Sequence, residues 1–483
     1  MSLLKARTAS GTVAGVPGGN GSYTVFRGIP YAKPPVGERR FAPPERPEPW
    51  EGERLCDRFA PAPMQLRQNG GDYEMSEDCL YLNVWTPAEA AGEKLPVMFW
   101  IFGGGFSFGY GHEPTYDGAA IAGKGCVLVT INYRVNIFGF FNTPELEARH
   151  GGARCCGTLD QIAALDWVRE NIDAFGGDPG NILVFGQSAG GISTRMLLTS
   201  PLTKGKIAKA VVHSGGGLNE ADLVRPKEEF TKMCADTLRH VGWTFEDIMN
   251  ADAQEVLDRM MPGVREMMAD HDLAYFQPFV DEYALTDVPG VHIYNGAYPD
   301  IPIMCGTVAG DAWMFTRKVL PELKGNRSWL RAFSYSPGVA WGKRNADTGR
   351  SPIYTWYMDR PQPPKEFKYM THGKPPYGGE TPHSSELAYL FGTLAVRDER
   401  YKEDDYALAE MIRSYWTNFA KTGDPNGPGL PEWPKFTGDT PVSMRFGSEA
   451  APAAEDLVAG TEEAYVIAFC ESHPGMLTSL DGF

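Results

Sequence analysis

From about Lys94 to Ser214, short apolar runs alternate with longer, polar-punctuated segments. The runs at Val97–Phe102, Cys126–Asn132, Ile182–Phe185 and Ala210–His213 read as strands. Between the second and third of them, Asp160 to Phe175 places Ile162, Ala163, Ala164, Leu165, Val168 and Ile172 at helical spacing, and the GGDPGN that follows stops the helix. Strands alternating with helices imply an α/β fold, a mostly parallel, twisted central sheet covered by helices on both faces. Between Leu218 and Met268 the pattern turns helical and charged, which predicts helical excursions above the sheet. A further helix is expected from about Asp405 to Lys421, ahead of the TGDPNG turn. Phe26–Pro44 is Pro-rich and, taken in isolation, reads as a loop.

A chain of 483 residues could hold about three domains or one large α/β unit. No 20 to 50 residue repeat and no Gly/Ser linker divides it. With 42% hydrophobic, 22% charged and 12% aromatic residues it has the composition of a globular chain able to bury a large core. The formal charge of −16 comes without clustered basic residues, so nucleic acid is a poor partner. The longest apolar stretch, around Leu95 to Phe106, is too short for a membrane span and is broken by three glycines. The N-terminal MSLLKARTASG lacks the apolar core of a signal peptide, so a cytoplasmic location is expected unless a leader has been removed. Eight cysteines without a CxxC pair suggest neither a disulfide scaffold nor zinc.

The chemistry concentrates at two glycine-rich points. Gly186-Gln187-Ser188-Ala189-Gly190 follows the apolar ILVF strand and precedes an apolar-periodic segment. It is G-x-S-x-G in the strand, turn and helix context that lifts a serine hydroxyl clear of a sheet, and the new helix aims its first N–H groups at charge developing beside Ser188. A serine nucleophile also needs its oxyanion stabilised, and Gly103-Gly104-Gly105 at the end of the Val97–Phe102 strand can let backbone N–H groups converge on one oxygen. The competing readings are a plain flexible loop and a phosphate loop; against the latter, no GK[ST] follows and the spacing is not G-x-G-x-x-G.

These motifs, together with FRGIPYAKPPVGERRF near the start, SEDCLYLNVWTP at Ser76–Pro87, NYRVNIFGF at Asn132–Phe140, YWTNFAKTGDPNG at Tyr415–Gly427 and EWPKF at Glu432–Phe436, give the chain a resemblance to the type-B carboxylesterases, α/β-hydrolases that include the cholinesterases. The resemblance runs along nearly the whole length and implies one catalytic domain over residues 1–483. It also implies oxyanion donors at the amides of Gly104, Gly105 and Ala189, and the order serine, acid, histidine for the triad. Of the histidines after the acid segment, His372, His383 and His473, the one in PHSSE resembles the family's H-x-x-E segment, making His383 the expected base. The acid segment departs from the family: where the relatives have G-x-N-x-D-E-G, this chain has Gly306-Thr307-Val308-Ala309-Gly310-Asp311-Ala312-Trp313. Asp311 falls on the glutamate position, one methylene shorter, so backbone or ring must shift to close the gap. Ser214 resembles the serine that supports the acid. Arg40 with Glu77 and Arg134 with Asp160 resemble structural ion pairs. Cys79 matches a cysteine that secreted relatives pair, but no cysteine stands near Ala62–Met64 to receive it, and the sequons at Asn20 and Asn326 carry little weight without a secretory route.

The expected activity is therefore hydrolysis of small-molecule carboxylic esters through an acyl-enzyme on Ser188. No metal and no organic cofactor is required, and the rate should rise with pH through about 6 to 7, as a histidine base demands. An acyltransferase or amidase with the same triad, and a non-catalytic adhesion protein of the same fold, are the alternative readings. Phe106, Phe108, Tyr110 and Trp313 adjoin the catalytic segments and could line an apolar pocket, although packing is the default for each.

Overall fold

The computed structural model describes residues 2–19, 21–67, 72–218, 224–267, 276–311, 327–363, 381–397, 400–437, 441–449 and 452–457, with the side chains of 327–334 excepted. Eleven strands among them form one sheet. In chain order they are β1 (Val16–Pro17), β2 (Thr24–Pro30), β3 (Tyr81–Thr86), β4 (Leu95–Ile101), β5 (Val127–Ile131), β6 (Gly177–Gln187), β7 (Lys209–His213), β8 (Ile303–Val308), β9 (Ile353–Met358), β10 (Ser443–Phe446) and β11 (Ala453–Glu455). Their spatial order is β11-β10-β9-β8-β7-β6-β4-β5-β3-β2-β1. Pairing is parallel from β10 through β5 and antiparallel at both flanks, which makes the sheet mixed with a parallel centre.

Parallel strands are linked by crossovers that bury both faces, and the side chains follow suit. β5 and β7 are buried at every position, as is β4 from Val97 onward. The covering helices include α1 (Cys156–Asn171), α2 (Ala189–Thr199) and, after the excursion helices α3 (Lys227–His240) and α4 (Ala253–Met267), α5 (Ser385–Phe391) and α6 (Glu403–Thr422). α2 packs on β4, β6 and β7, and α6 packs on β4 and β6. Trp100, Phe185, Trp356, Phe391 and Trp416 fill the interior between them.

Two expectations from the sequence need correction. The helix read as Asp160 to Phe175 begins at Cys156, ends at Asn171 and adds a 3-10 turn at Ile172–Phe175, which Gly176 terminates at φ 80°. Within Phe26–Pro44, Phe26–Pro30 is not loop but part of β2. A bulge between Phe26 and Ile29 interrupts the ladder with β3 there; Gly28 takes φ 70°, and its N–H donates to the Asn83 side chain at 2.9 Å.

Chain direction decides where chemistry can occur. From β4 the chain moves to β5 on one side, whereas β6 on the other side leads on to β7 and β8, so crossovers diverge between β4 and β6. At such a switch point the loops leaving the carboxyl ends of two neighbouring strands separate and open a crevice. The loop after β4 carries the triple glycine, the turn after β6 carries Ser188, and the segment after β8 carries Asp311.

Candidate active site

Ser188 has φ 57° and ψ −125°, a conformation that side chains other than glycine rarely adopt and that costs on the order of 1–3 kcal/mol. Close packing around the turn enforces it. A Cβ on Gly186 would stand 2.3 Å from the Gly190 carbonyl oxygen, and one on Gly190 would stand 2.0 Å from that of Ile101. The Ser188 N–H donates to the His213 carbonyl at 2.9 Å, and the Ser188 carbonyl accepts from Ile192 in the first turn of α2.

The glycine loop lies directly against this turn. A Cβ on Gly103 would meet the Gln187 carbonyl oxygen at 2.5 Å and the Ser188 Cβ at 3.0 Å. Gly104 and Gly105 take φ 107° and 61°, and Phe106 takes 58°. The loop is anchored beyond the glycines: the Phe106 carbonyl accepts from the Asn136 N–H at 2.6 Å, and Gly109 exchanges two hydrogen bonds with the Gln65 carboxamide. Among the described residues, the backbone N–H groups of Gly104, Gly105 and Ala189 have no acceptor.

Asp311 and His383 meet across the next two segments. Asp311 Oδ1 lies 2.5 Å from His383 Nδ1, so the shorter acid does reach the imidazole. Its Oδ2 accepts from the Thr307 hydroxyl and from the Val308 N–H at 3.1 Å. Burial works to raise this carboxyl, but the facing His383 charge and hydrogen bond, with the Ser214 and Thr307 hydroxyls, outweigh it and hold Asp311 below the usual aspartate range. The two segments are also joined through backbone, Gly310 N–H to Thr381 carbonyl at 2.8 Å, while the Thr381 hydroxyl donates to the Arg360 carbonyl at 2.7 Å. Ser214 is buried at φ 48°, its own N–H donating to the Gly306 carbonyl in β8.

A family sequence profile, described as the Carboxylesterase family, matches residues 4–335 and 332–462. The chain belongs to that family. It is a carboxylic ester hydrolase with the α/β-hydrolase fold. Among curated relatives of this carboxylesterase, a fumonisin B1 esterase of Sphingopyxis macrogoltabida is 33% identical over 92% of this chain and 87% of its own length. A para-nitrobenzyl esterase of Bacillus subtilis is 32% identical over 88% and 91%. Among solved structures, a thermophilic para-nitrobenzyl esterase superposes with a TM-score of 0.83 at 29% identity, covering 96% of this chain and all of that one. A Geobacillus stearothermophilus carboxylesterase gives 0.78 at 32%, covering 95% and 99%.

Three residues beside the site carried no separate signal in the sequence. Thr307 braces Asp311, and only its place four residues before the acid hints at this. Gln187 occupies the variable position of G-x-S-x-G, and its side-chain nitrogen lies 2.9 Å from His383 Nε2. His213 is fully buried under the turn; its Nε2 accepts from the Trp416 indole N–H at 3.0 Å, which leaves the proton on Nδ1, 3.4 Å from Glu386 Oε1.

The remaining sequence expectations divide between core and surface. Phe106 is fully buried edge-on against Phe140, a packing residue, whereas Tyr110 is part-exposed and packs at tilted angles against His112 and Tyr73. Arg134 and Asp160 form a buried bidentate pair, and Arg40 joins Glu77 while its guanidinium also donates to the Ile248 and Ala251 carbonyls. The seven described cysteines are buried and unpaired. His372, His473, Trp313, Asn20, Asn326 and Cys470 lie outside the described residues.

Proposed function

We propose that this carboxylesterase acts through a covalent acyl-enzyme on Ser188. His383, oriented by Asp311, accepts the Ser188 hydroxyl proton as the oxygen bonds to the ester carbonyl carbon. The resulting oxyanion is held by the N–H groups of Gly104, Gly105 and Ala189. Collapse of this intermediate breaks the carbon–oxygen bond to the alcohol, and His383 returns the proton to that leaving group. Water then repeats the cycle against the acyl group, and the acid leaves with Ser188 restored. Residues 1–483 act in this as one catalytic unit, the parts coming from the ends of β4, β6 and β8 and from the segment before α5.

The observations that support the reading are the His383–Asp311 contact, the strained turn at Ser188, whose neighbour Gln187 reaches the His383 ring, and the backbone N–H groups of Gly104, Gly105 and Ala189, which have no acceptor among the described residues. The substrates are small-molecule carboxylic esters, in keeping with relatives named as para-nitrobenzyl and fumonisin B1 esterases. The test is labelling with a fluorophosphonate followed by peptide mapping, alongside turnover of para-nitrophenyl esters of graded acyl length. Modification should map to Ser188, and Ser188→Ala should abolish both labelling and turnover; a label on another serine, or an active Ser188→Ala protein, overturns the mechanism.

A further inference from the structure

The contact between Gln187 and His383 has a geometry that its shortest distance conceals. Gln187 Nε2 is 2.9 Å from His383 Nε2 and 3.4 Å from Nδ1. The in-plane lone pair of Nε2 points away from Nδ1, so a donor on that line at this range would stand about 5 Å from Nδ1. An atom nearly equidistant from both ring nitrogens, and not overlapping the carbon between them, must instead stand over the face of the imidazole. The carboxamide therefore covers the ring and does not lie along the in-plane lone-pair direction of Nε2. Gln187 is buried, and it is the last residue of β6, directly before the turn that presents Ser188.

We propose that Gln187 is a positioning residue for the base, fixing the plane of the His383 ring so that Nε2 faces Ser188 while placing a neutral group where a carboxylate would favour the charged ring. This rests on the reading of His383 as base. Edge contacts alone leave an imidazole free to rock about the Nδ1–Asp311 bond, and a flat amide over one face removes that freedom. The sign of the electrostatic contribution also follows from chemistry. An N–H dipole directed at the ring face is attracted by neutral imidazole and repelled by imidazolium, so the amide favours the proton-accepting form. The ionisable groups that contacts among the described residues place on His383 or its segment are Asp311 on Nδ1, Glu386, one turn further along and facing His213, and Arg397, whose guanidinium donates to the Ser384 carbonyl at 2.7 Å. These are the same in every variant below.

The test compares pH profiles of kcat/KM for the full-length native enzyme, Gln187→Glu, Gln187→Met and Gln187→Gly with a para-nitrophenyl ester. Gln187→Glu sets a carboxylate within reach of the ring, which moves the acid limb about one unit or more to higher pH. Near pH 6 this reads as roughly tenfold lower activity, while the high-pH plateau stays within about threefold of native. Gln187→Met, of equal length and uncharged but without the N–H dipole, moves the limb to higher pH by less than Gln187→Glu does and keeps most of the plateau. Gln187→Gly lowers kcat about tenfold or more with KM nearly unchanged, since only the orientation of the base is lost. Superimposable native and Gln187→Glu profiles, or native kcat in Gln187→Gly, overturn the proposal. Should Gln187→Gly not fold, the Gln187→Glu and Gln187→Met profiles decide alone. Turnover by Ser188→Ala in the same assay defeats the acyl-enzyme reading instead, so the two failures are told apart.

Discussion

Gly104 and Gly105 are adjacent and both have positive φ, yet the structure predicts opposite fates for their alanine variants. A Cβ on Gly104 would sit 2.1 Å from the Phe108 carbonyl oxygen and 3.0 Å from its ring, at φ 107°. Relief requires a backbone movement on the order of 1 Å, since carbon and oxygen need a little over 3 Å. The loop cannot swing as a body, because the Ser107 N–H is bonded to the Gly104 carbonyl, Asn136 holds Phe106 and Gln65 holds Gly109. The shift is thus confined to the peptides flanking Gly104, and donors to a developing oxyanion must stay within about 2.7–3.1 Å of it. Loss of one such donor costs about 2.7–4 kcal/mol, so kcat of Gly104→Ala should fall about 10² to 10³-fold. A Cβ on Gly105 meets nothing within 4 Å, and its φ of 61° lies in the left-handed region that alanine enters for about 1–2 kcal/mol. Gly105→Ala should keep kcat within about threefold of native and lose no more than a few degrees of Tm. Steady-state hydrolysis of a para-nitrophenyl ester and thermal unfolding measure both. If Gly105→Ala proves as inactive as Gly104→Ala, or Gly104→Ala turns over at the native rate, the steric reasoning is wrong.

Asp311→Asn should lower kcat about 10⁴-fold by presenting an N–H to His383 Nδ1 and favouring the wrong tautomer; a fall of less than tenfold in the ester assay would remove Asp311 from the mechanism. Because Asp311 is held below the usual aspartate range, it stays ionised throughout any practical assay, and the acid limb of the native profile should persist in variants that alter only its Thr307 brace. Partial burial of Glu113 raises its carboxyl from 4.5 to about 7. The folded state then binds more protons than the unfolded one across that interval, so stability is lost as pH rises through it, at most about 3 kcal/mol. Glu113→Gln should accordingly raise Tm at about pH 8 and leave it unchanged near pH 4; equal Tm at both values refutes this. Arg134→Met strands the fully buried Asp160 carboxylate and should cost about 3–5 kcal/mol in denaturant unfolding, with Arg134→Met/Asp160→Leu recovering much of it. A single variant of native stability would contradict that account.

The sequence shows most plainly what is local. β4, β5, β7 and the Ile182–Phe185 part of β6 are legible as apolar runs because interior parallel strands are buried on both faces, whereas the partly exposed Gly177–Asn181 start of β6 reads as the turn that stops a helix. The bend at Ser188 is legible for the same reason: strand, glycine, serine and helix are consecutive, and the strain is contained within five residues. β2 was obscured because Gly28, Pro30 at its end and the prolines that follow signal a loop, while its bulge is accommodated by Gly28 at positive φ, by the side chain of Asn83 on β3 and by the Arg27 N–H bond to the Cys56 carbonyl. Likewise, the start of α1 at Cys156 follows no capping residue in the sequence.

Read alone, then, the order of residues determines an α/β chain of carboxylesterase type and the identity of the groups available for chemistry. It leaves open whether an aspartate one methylene short can meet an imidazole 72 positions away, which depends on the Gly310–Thr381 backbone bond and the Thr307 and Val308 donors. Nor does it show that Gln187 covers the His383 ring or that Trp416 fixes the proton of His213. Periodicity and turn chemistry act over a few residues and are written along the chain, whereas these contacts join segments that only the crossovers of the sheet bring together, where angle and distance decide the chemistry.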